Sequence, residues 1–281
     1  MPVTDRPAPV AAVIGSPVGH SLSPVIHRAA FAAAGLDWSY VAFDVAAGRA
    51  DEALAAMRVL GIAGYSVTTP HKEQVAAGVD ELAESAAALD SVNTVVAGGD
   101  GRLIGHSTDG DGFVASLEAE GVGVTGLRIV VLGAGGAARS VVSALGRAGA
   151  ADIAVVNRTP GRVGAIVALA GTAHAADDAA TAVADATLVV NATSVGFGTD
   201  DIPLDPAWLR PEHLVADLVY HPLETALLRA AAAAGARTFD GLGMLIHQAA
   251  LQQRLWTGND PDVAAMRAAA ERELARRAGE V

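Results

Sequence analysis

Apolar residues along the chain fall into short β-branched runs that alternate with stretches of helical spacing. Residues 9–15 (PVAAVIG) read as a buried strand. Ser23 can then cap a helix with Pro24 at its first position and Ile26, Ala29, Ala30 and Ala33 on its apolar face. A second strand is expected at 39–45 and a helix from Arg49 to Leu60 closed by Gly61. Tyr65 to Thr68 alternate like a strand that runs out at Pro70, and Glu73 to Leu89 read as one helix. Residues 93–98 and 103–108 flank Gly98-Gly99-Asp100-Gly101, which predicts a hairpin. After a helix over 113–120 the pattern repeats as strand and helix, with strands at 129–132, 152–156, 186–196, 213–220 and 237–241. Between the last two of these, Pro222 opens a helix over 223–234. The chain closes with a long helix to Trp256 and an Ala/Arg/Glu-rich helix after Pro261.

A chain of 281 residues holds about two domains. An apolar fraction of 52% is ample for two cores and excludes a disordered type. The formal charge of −12 argues against nucleic acid and anionic membrane as partners. With no cysteine, disulfides and thiolate metal sites are excluded, and no His/Asp/Glu grouping has metal-ligand spacing. No stretch approaches a membrane span, so a cytoplasmic protein is expected, with no nucleic acid and no membrane among its partners.

The densest chemical signal is Gly133-Ala134-Gly135-Gly136-Ala137-Ala138, set between the strand at 129–132 and a helix with Val141, Val142 and Leu145 on one face. This is GxGxxA between strand and helix. Gly133 permits the sharp turn, Gly135 lets a pyrophosphate reach the backbone, and Ala138 lets the helix pack closely on the strand. The helix N-terminus then offers free N–H groups to an anion. After the next strand comes Asn157-Arg158-Thr159, where an NAD-preferring site usually carries Asp or Glu. An acidic group would repel a 2′-phosphate and a guanidinium attracts one, so Arg158, with Arg162, points to NADP. Asn191, Thr193 and Ser194 lie in the strand and small-residue loop of 186–196 and are expected against the cofactor.

Lys72 is the only lysine; every other one of the 19 basic side chains is arginine. Lysine can lower its pKa and exchange a proton, and arginine cannot. Lys72 would sit where a strand's C-terminal end meets a pocket. Ser21 and Ser23, two hydroxyls beside a helix start, could hold a carboxylate or simply shape the loop. Asp109 and Asp111 lead into a helix, and either serves as a cap.

Taken in order, GSPVGHSLSPVIH (15–27), SVTTPHK (66–72), VNT (92–94), STDGDG (107–112), GAGGAAR (133–139) with NRT (157–159), NATSVG (191–196) and DGLGMLIHQ (240–248) resemble the shikimate dehydrogenase family. The resemblance covers nearly the whole chain. It implies a two-lobed α/β fold. The substrate domain would comprise 1–110 and 241–281, with the C-terminal helices returning to it. A Rossmann-like NADP-binding domain would comprise 111–240, and the active site would be the cleft between the two.

The resemblance further implies Lys72 and Asp109 as the catalytic pair. Ser21 and Ser23, with Tyr220, would grip the substrate carboxylate. Thr68, Asn93 and Gln248 would bond the ring hydroxyls together with Asp109, and Ser66 would be a further substrate-binding residue, in contact with the ring. Gly241 would contact the nicotinamide carboxamide through its backbone. The activity implied is the reversible NADPH-dependent reduction of 3-dehydroshikimate to shikimate, by a monomer or homodimer. The family usually has Asn where Ser66 and Ser107 stand, and Asn where Arg28 stands. A shikimate/quinate dehydrogenase of broader specificity is therefore the alternative, and a catalytically silent nucleotide-sensing homologue is a further one.

Overall fold

A computed structural model describes residues 7–279 of the protein. In chain order its first elements are β1 (Val10–Gly15), α1 (Ser23–Ala33), β2 (Ser39–Asp44), α2 (Ala50–Leu60) and β3 (Gly64–Val67). They continue with α3 (Lys72–Gly78), β4 (Glu81–Leu82), α4 (Glu84–Ala87), β5 (Thr94–Ala97) and β6 (Leu103–His106). Next come α5 (Asp109–Ala119), β7 (Arg128–Leu132), α6 (Gly136–Arg147), β8 (Asp152–Val156), α7 (Gly164–Val167), β9 (Ala173–Ala175) and α8 (Ala179–Asp185). The last are β10 (Leu188–Asn191), β11 (Leu214–Asp217), α9 (Ala226–Ala233), β12 (Arg237–Phe239), α10 (Gly241–Thr257) and α11 (Val263–Ala278). The chain divides into two compact units. The first runs to Thr108 and resumes at Ala249; the second is Asp109–Gln248. The second boundary thus falls inside α10.

The first unit is built on a six-stranded sheet in the order β2-β1-β3-β5-β6-β4. β1 is parallel to β2 and β3, whereas β5 is antiparallel to both β3 and β6. Alternation along the strands loads both faces. Ala12, Ile14, Tyr65 and Val67 pack with Leu54 and Met57 of α2 and Val75 of α3. Ala11, Val13 and Tyr40 face the other way with Phe31 of α1, and Trp256 of α10 packs against them. The antiparallel β5 brings its N-terminal end, and β6 its C-terminal end, to the edge where β1 and β3 finish.

The second unit has a parallel sheet in the order β12-β11-β10-β7-β8-β9. Its first strand, β7, is central, and the order reverses between β7 and β10. Both faces are covered. Ile129 and Val131 pack with Phe113, Val141 and Leu145, whereas Val130 and Leu132 pack with Val183, Leu227 and Leu228. That is why these strands read as continuous apolar runs.

Several sequence expectations change. The helix expected over 113–120 begins at Asp109, so Asp109 and Asp111 lie in its first turn and not before it. The helix expected over 73–89 stops at Gly78, because Val79 turns extended and the Asp80 carboxylate accepts from the Leu103 N–H at 2.7 Å and from Arg58 at 2.7 Å. Glu81 and Leu82 then pair with β6. The helix expected from 223 begins at Ala226, capped by Thr225. Ser23 does not cap α1; it is the helix's first residue, and its N–H donates to Ser21 Oγ at 3.2 Å. No strand was expected between 157 and 185, and β9 lies there as an edge strand paired to β8.

Candidate active site

In the first unit the loops after β1 and β3 are joined backbone to backbone. Ser16 N–H donates to Thr69 O and Thr68 N–H to Ile14 O, each at 3.0 Å. Gly15 permits this: a Cβ there would lie 2.5 Å from Thr68 Cγ2. The loop bearing Ser21 and Ser23 therefore lies against the loop bearing Thr68, and Lys72 opens α3 directly after it, half-buried. β5 adds Asn93 to the same edge. Val92 N–H donates to the Lys72 carbonyl at 3.1 Å and Val67 N–H to the Asn93 carbonyl at 2.7 Å. The Asn93 side chain, 3% exposed, donates to Thr108 Oγ1 at 2.9 Å and accepts from the Thr108 N–H at 2.8 Å. Ser21, Ser23, Thr68, Lys72 and Asn93 are thus brought to one edge.

Ser66, expected in contact with the ring, has its hydroxyl engaged inside the unit. It accepts from Tyr40 OH at 2.7 Å and donates to Gln252 Oε1 at 2.6 Å. Gln252 also meets His27 Nε2 at 3.2 Å and donates to the Asn93 carbonyl at 3.2 Å. His27 stacks on Tyr40, with ring centroids 4.4 Å apart. Burial pushes the His27 pKa down to about 3, against the opposing pull of the Gln252 and Gln253 amides. Burial likewise raises the Tyr40 phenol above its ordinary range. The relay Tyr40–Ser66–Gln252–His27 escaped the sequence reading because its members lie in four separate elements. His71 stands at the N-cap position of α3 but its side chain makes no capping bond: it is fully buried and its Nε2 pairs with the Val45 carbonyl at 2.7 Å.

In the second unit Asp109, half-buried, is the first residue of α5. Gly110 and Gly112 let α5 lie close to its neighbours: an added Cβ would fall 2.0 Å from Ser140 O of α6 and 2.5 Å from Gln248 N of α10. Gln248 is buried and donates to the Leu245 carbonyl at 2.9 Å. Tyr220 is half-buried and meets the ring of Phe197 edge-on.

The glycine turn has the form expected of it. Gly133 has φ +116°, and a Cβ there would meet Ala192 O at 2.9 Å. Gly135 and Gly136 open α6 with nothing within 4 Å of an added Cβ, so the approach to the helix N-terminus is clear, with Ala134 and Ala137 half-buried beside it. Asn157 Nδ2 donates to the Thr159 carbonyl at 2.8 Å, holding a turn on which Thr159, Arg158 and, further on, Arg162 are exposed. Asn191 and Thr193, expected against the cofactor, bond one another: Asn191 Oδ1 accepts from Thr193 N at 3.0 Å and Thr193 Oγ1 at 2.7 Å. Ser194, next along, is exposed. Gly241 is buried where a Cβ would meet Leu218 O at 2.5 Å. Among the described residues no group of three His, Asp or Glu side chains could hold a metal ion.

A parallel sheet whose order reverses beside the central strand, with a glycine turn and helix N-terminus at the reversal, defines a dinucleotide-binding α/β protein. Comparison with known proteins narrows the class. The family model "Shikimate dehydrogenase substrate binding domain" matches residues 13–95, "Shikimate / quinate 5-dehydrogenase" matches 116–196, and "Shikimate 5'-dehydrogenase C-terminal domain" matches 241–271. Shikimate dehydrogenase (NADP(+)) of Symbiobacterium thermophilum is 47% identical over 277 residues, 94% of each chain. A Thermus thermophilus shikimate 5-dehydrogenase solved with NADP(H) and shikimate is 40% identical, covers 94% of this chain and 99% of its own, and superposes with a TM-score of 0.86. A Corynebacterium glutamicum quinate dehydrogenase solved with NAD is 35% identical, covers 93% and 98%, and gives 0.87. The chain belongs to the shikimate dehydrogenase family.

Proposed function

We propose that this chain catalyses the reversible NADPH-dependent reduction of 3-dehydroshikimate to shikimate. Relatives at 46% and 47% identity over at least nine-tenths of the chain carry the name shikimate dehydrogenase (NADP(+)). The first unit, with the substrate, and the second, with the cofactor, divide the work. The second unit fits NADP. Gly133 shapes the turn, Gly135 and Gly136 leave room for a pyrophosphate at the start of α6, and Asn157-Arg158-Thr159 stands where an acid would select against a 2′-phosphate. When bound, NADPH supplies a hydride to the ketone carbon.

The remaining chemistry belongs to side chains. Negative charge grows on the ketone oxygen as the hydride arrives, and a cation there lowers the barrier. Lys72 Nζ stabilises that oxygen and gives it a proton. In the alcohol so formed, Asp109 accepts a hydrogen bond from the new hydroxyl and orients it for the reverse reaction. Ser21 and Ser23 hold the carboxylate of the acid, and Thr68, Asn93, Tyr220 and Gln248 complete its contacts. The observation that carries the reading is local. The carbonyl of Lys72 binds Val92 N–H, the next residue binds Thr108, and Asp109 follows Thr108 directly.

A spectrophotometric panel of shikimate and quinate, each with NADP+ and NAD+, tests the assignment. Shikimate with NADP+ should give the highest kcat/KM. Lys72→Ala should lower kcat by about 10²–10⁴ with a smaller change in KM. A higher kcat/KM for quinate would favour the broader alternative, and preference for NAD+ would remove the role given to Arg158. Near-normal turnover in Lys72→Ala would remove lysine from the mechanism.

A further inference from the structure

Within the second unit β10 and β11 end side by side, with Asn191 and Asp217 paired in register. Both side chains are buried, 0% and 1% exposed. Asp217 Oδ1 accepts from Asn191 Nδ2 at 2.8 Å and from the Val219 N–H at 3.0 Å. Asp217 Oδ2 accepts from Thr225 Oγ1 at 2.7 Å. Thr225, itself fully buried, accepts from the Leu228 N–H at 3.3 Å as the cap of α9. On the other side Asn191 Nδ2 also donates to Val195 O at 3.2 Å, and Thr193 Oγ1 accepts from the Val195 N–H at 3.1 Å. One carboxylate therefore joins the loop after β10, the loop after β11 and the start of α9.

An ionised carboxylate only accepts, so it sets the direction of every bond around it. Asn191 must turn its NH₂ toward Asp217, which leaves Oδ1 for Thr193. The Thr193 N–H and the Val195 carbonyl hold the Asn191 amide the same way round. An amide at 217 has one acceptor oxygen instead of two and turns its NH₂ toward a partner that is itself a donor, so Asn191 Nδ2 and Thr225 Oγ1 cannot both keep their bond, and the tie between the 191–196 loop, the 217–220 loop and α9 is broken on one side. Burial pushes the Asp217 pKa up, opposed by the bonds from Thr225, Val219 and Asn191. These donors favour the charged form, and each would lose a partner if the carboxylate were removed.

A dinucleotide lies across the switch point with its pyrophosphate at the glycine turn, one mononucleotide on either side. Asn157 and Arg158 follow β8, which assigns the adenosine half to that side. The other half falls over the ends of β10 and β11, where Asp217 holds the loops. We propose that Asp217, anchored by Thr225, is a positioning residue for the nicotinamide half of the cofactor site, which it serves by locking the 191–196 and 217–220 loops into one arrangement. This rests on the NADP reading above.

Titration calorimetry with NADP+ and with adenosine 2′,5′-bisphosphate, which lacks the nicotinamide half, separates the outcomes. Asp217→Asn and Thr225→Val should raise the Kd for NADP+ by about fivefold or more, as expected for a lost charge-assisted hydrogen bond. Their Kd for the bisphosphate should stay within about twofold of wild type, within the usual scatter of such comparisons. Thr225→Ser keeps the hydroxyl and should match wild type with both ligands. An unchanged Kd for NADP+, or an equal loss for both ligands, overturns the proposal; the latter would mean a general structural role. A wild-type protein that binds neither ligand overturns the cofactor reading, and the proposal with it. Should Asp217→Asn fail to fold, Thr225→Val against Thr225→Ser makes the same comparison.

Discussion

His27 shows what burial does to a single titratable group. Its ring is fully enclosed, stacked on Tyr40 and bonded to Gln252, and its pKa is driven down to about 3 from an ordinary 6.5. Between these values the unfolded chain binds more protons than the folded one, so stability rises with pH across that window. The contribution is complete above pH 6.5 and is lost as pH falls toward 3. Each pKa unit is worth about 1.4 kcal/mol, so the effect is several kcal/mol. Chemical denaturation at stepped pH should show this slope, and His27→Phe should flatten it; a variant with the wild-type slope would assign the acid sensitivity elsewhere. The sequence offers His27 as one histidine among eight. Nothing local marks it, because its partners Tyr40, Gln252 and Trp256 are supplied by other elements. Lys72, by contrast, stood out in the sequence because the chain holds no second lysine.

Glycine sets how closely elements approach. Gly110 in α5 lies where a Cβ would come within 2.0 Å of the Ser140 carbonyl in α6. That obstacle is backbone, so one helix must move, and such overpacking costs about 1–3 kcal/mol or more. Gly110→Ala should lower the denaturant midpoint accordingly with the slope unchanged. Gly123→Ala, with nothing within 4 Å of its added Cβ, should leave the midpoint nearly where it is. Equal midpoints in the two variants would show that α5 and α6 have slack. Every strand of the second unit except the edge strand β9 was legible, because both faces of its sheet are buried and the apolar runs are continuous. The break at Gly78 was not. A helical pattern runs through it, and only the bonds from Leu103 and Arg58 to Asp80 turn the chain out. Tertiary pairing there outweighs local propensity.

For the whole molecule, two units with separate sheets and separate cores predict separate responses to ligands. A ligand stabilises what it binds, by about 2.7 kcal/mol at a hundredfold excess over Kd. NADP+ should slow amide exchange chiefly within 109–248, at 133–137, 157–162 and 191–196. Shikimate should slow it chiefly at 16–23 and 68–72. Protection by NADP+ confined to residues before 108 would refute the division of labour. The formal charge of −12 means that both anionic ligands enter an unfavourable field. Local cations such as Lys72 and Arg158 must offset it, and added salt should weaken the unfavourable long-range part.

By itself the sequence determined the alternation of elements, the glycine turn, the absence of an acid after β8 and the family. Each is written in neighbouring residues or in short blocks whose order survives in one dimension. The tertiary structure alone decided which polar side chains are bonded to one another inside the fold. Ser66, Asn191 and Thr193 looked like contact residues and have their polar atoms engaged internally, whereas Asp217 and Thr225 looked ordinary and tie two loops together. The reason is that hydrogen-bond saturation depends on partners distant in the chain, and no local pattern records them.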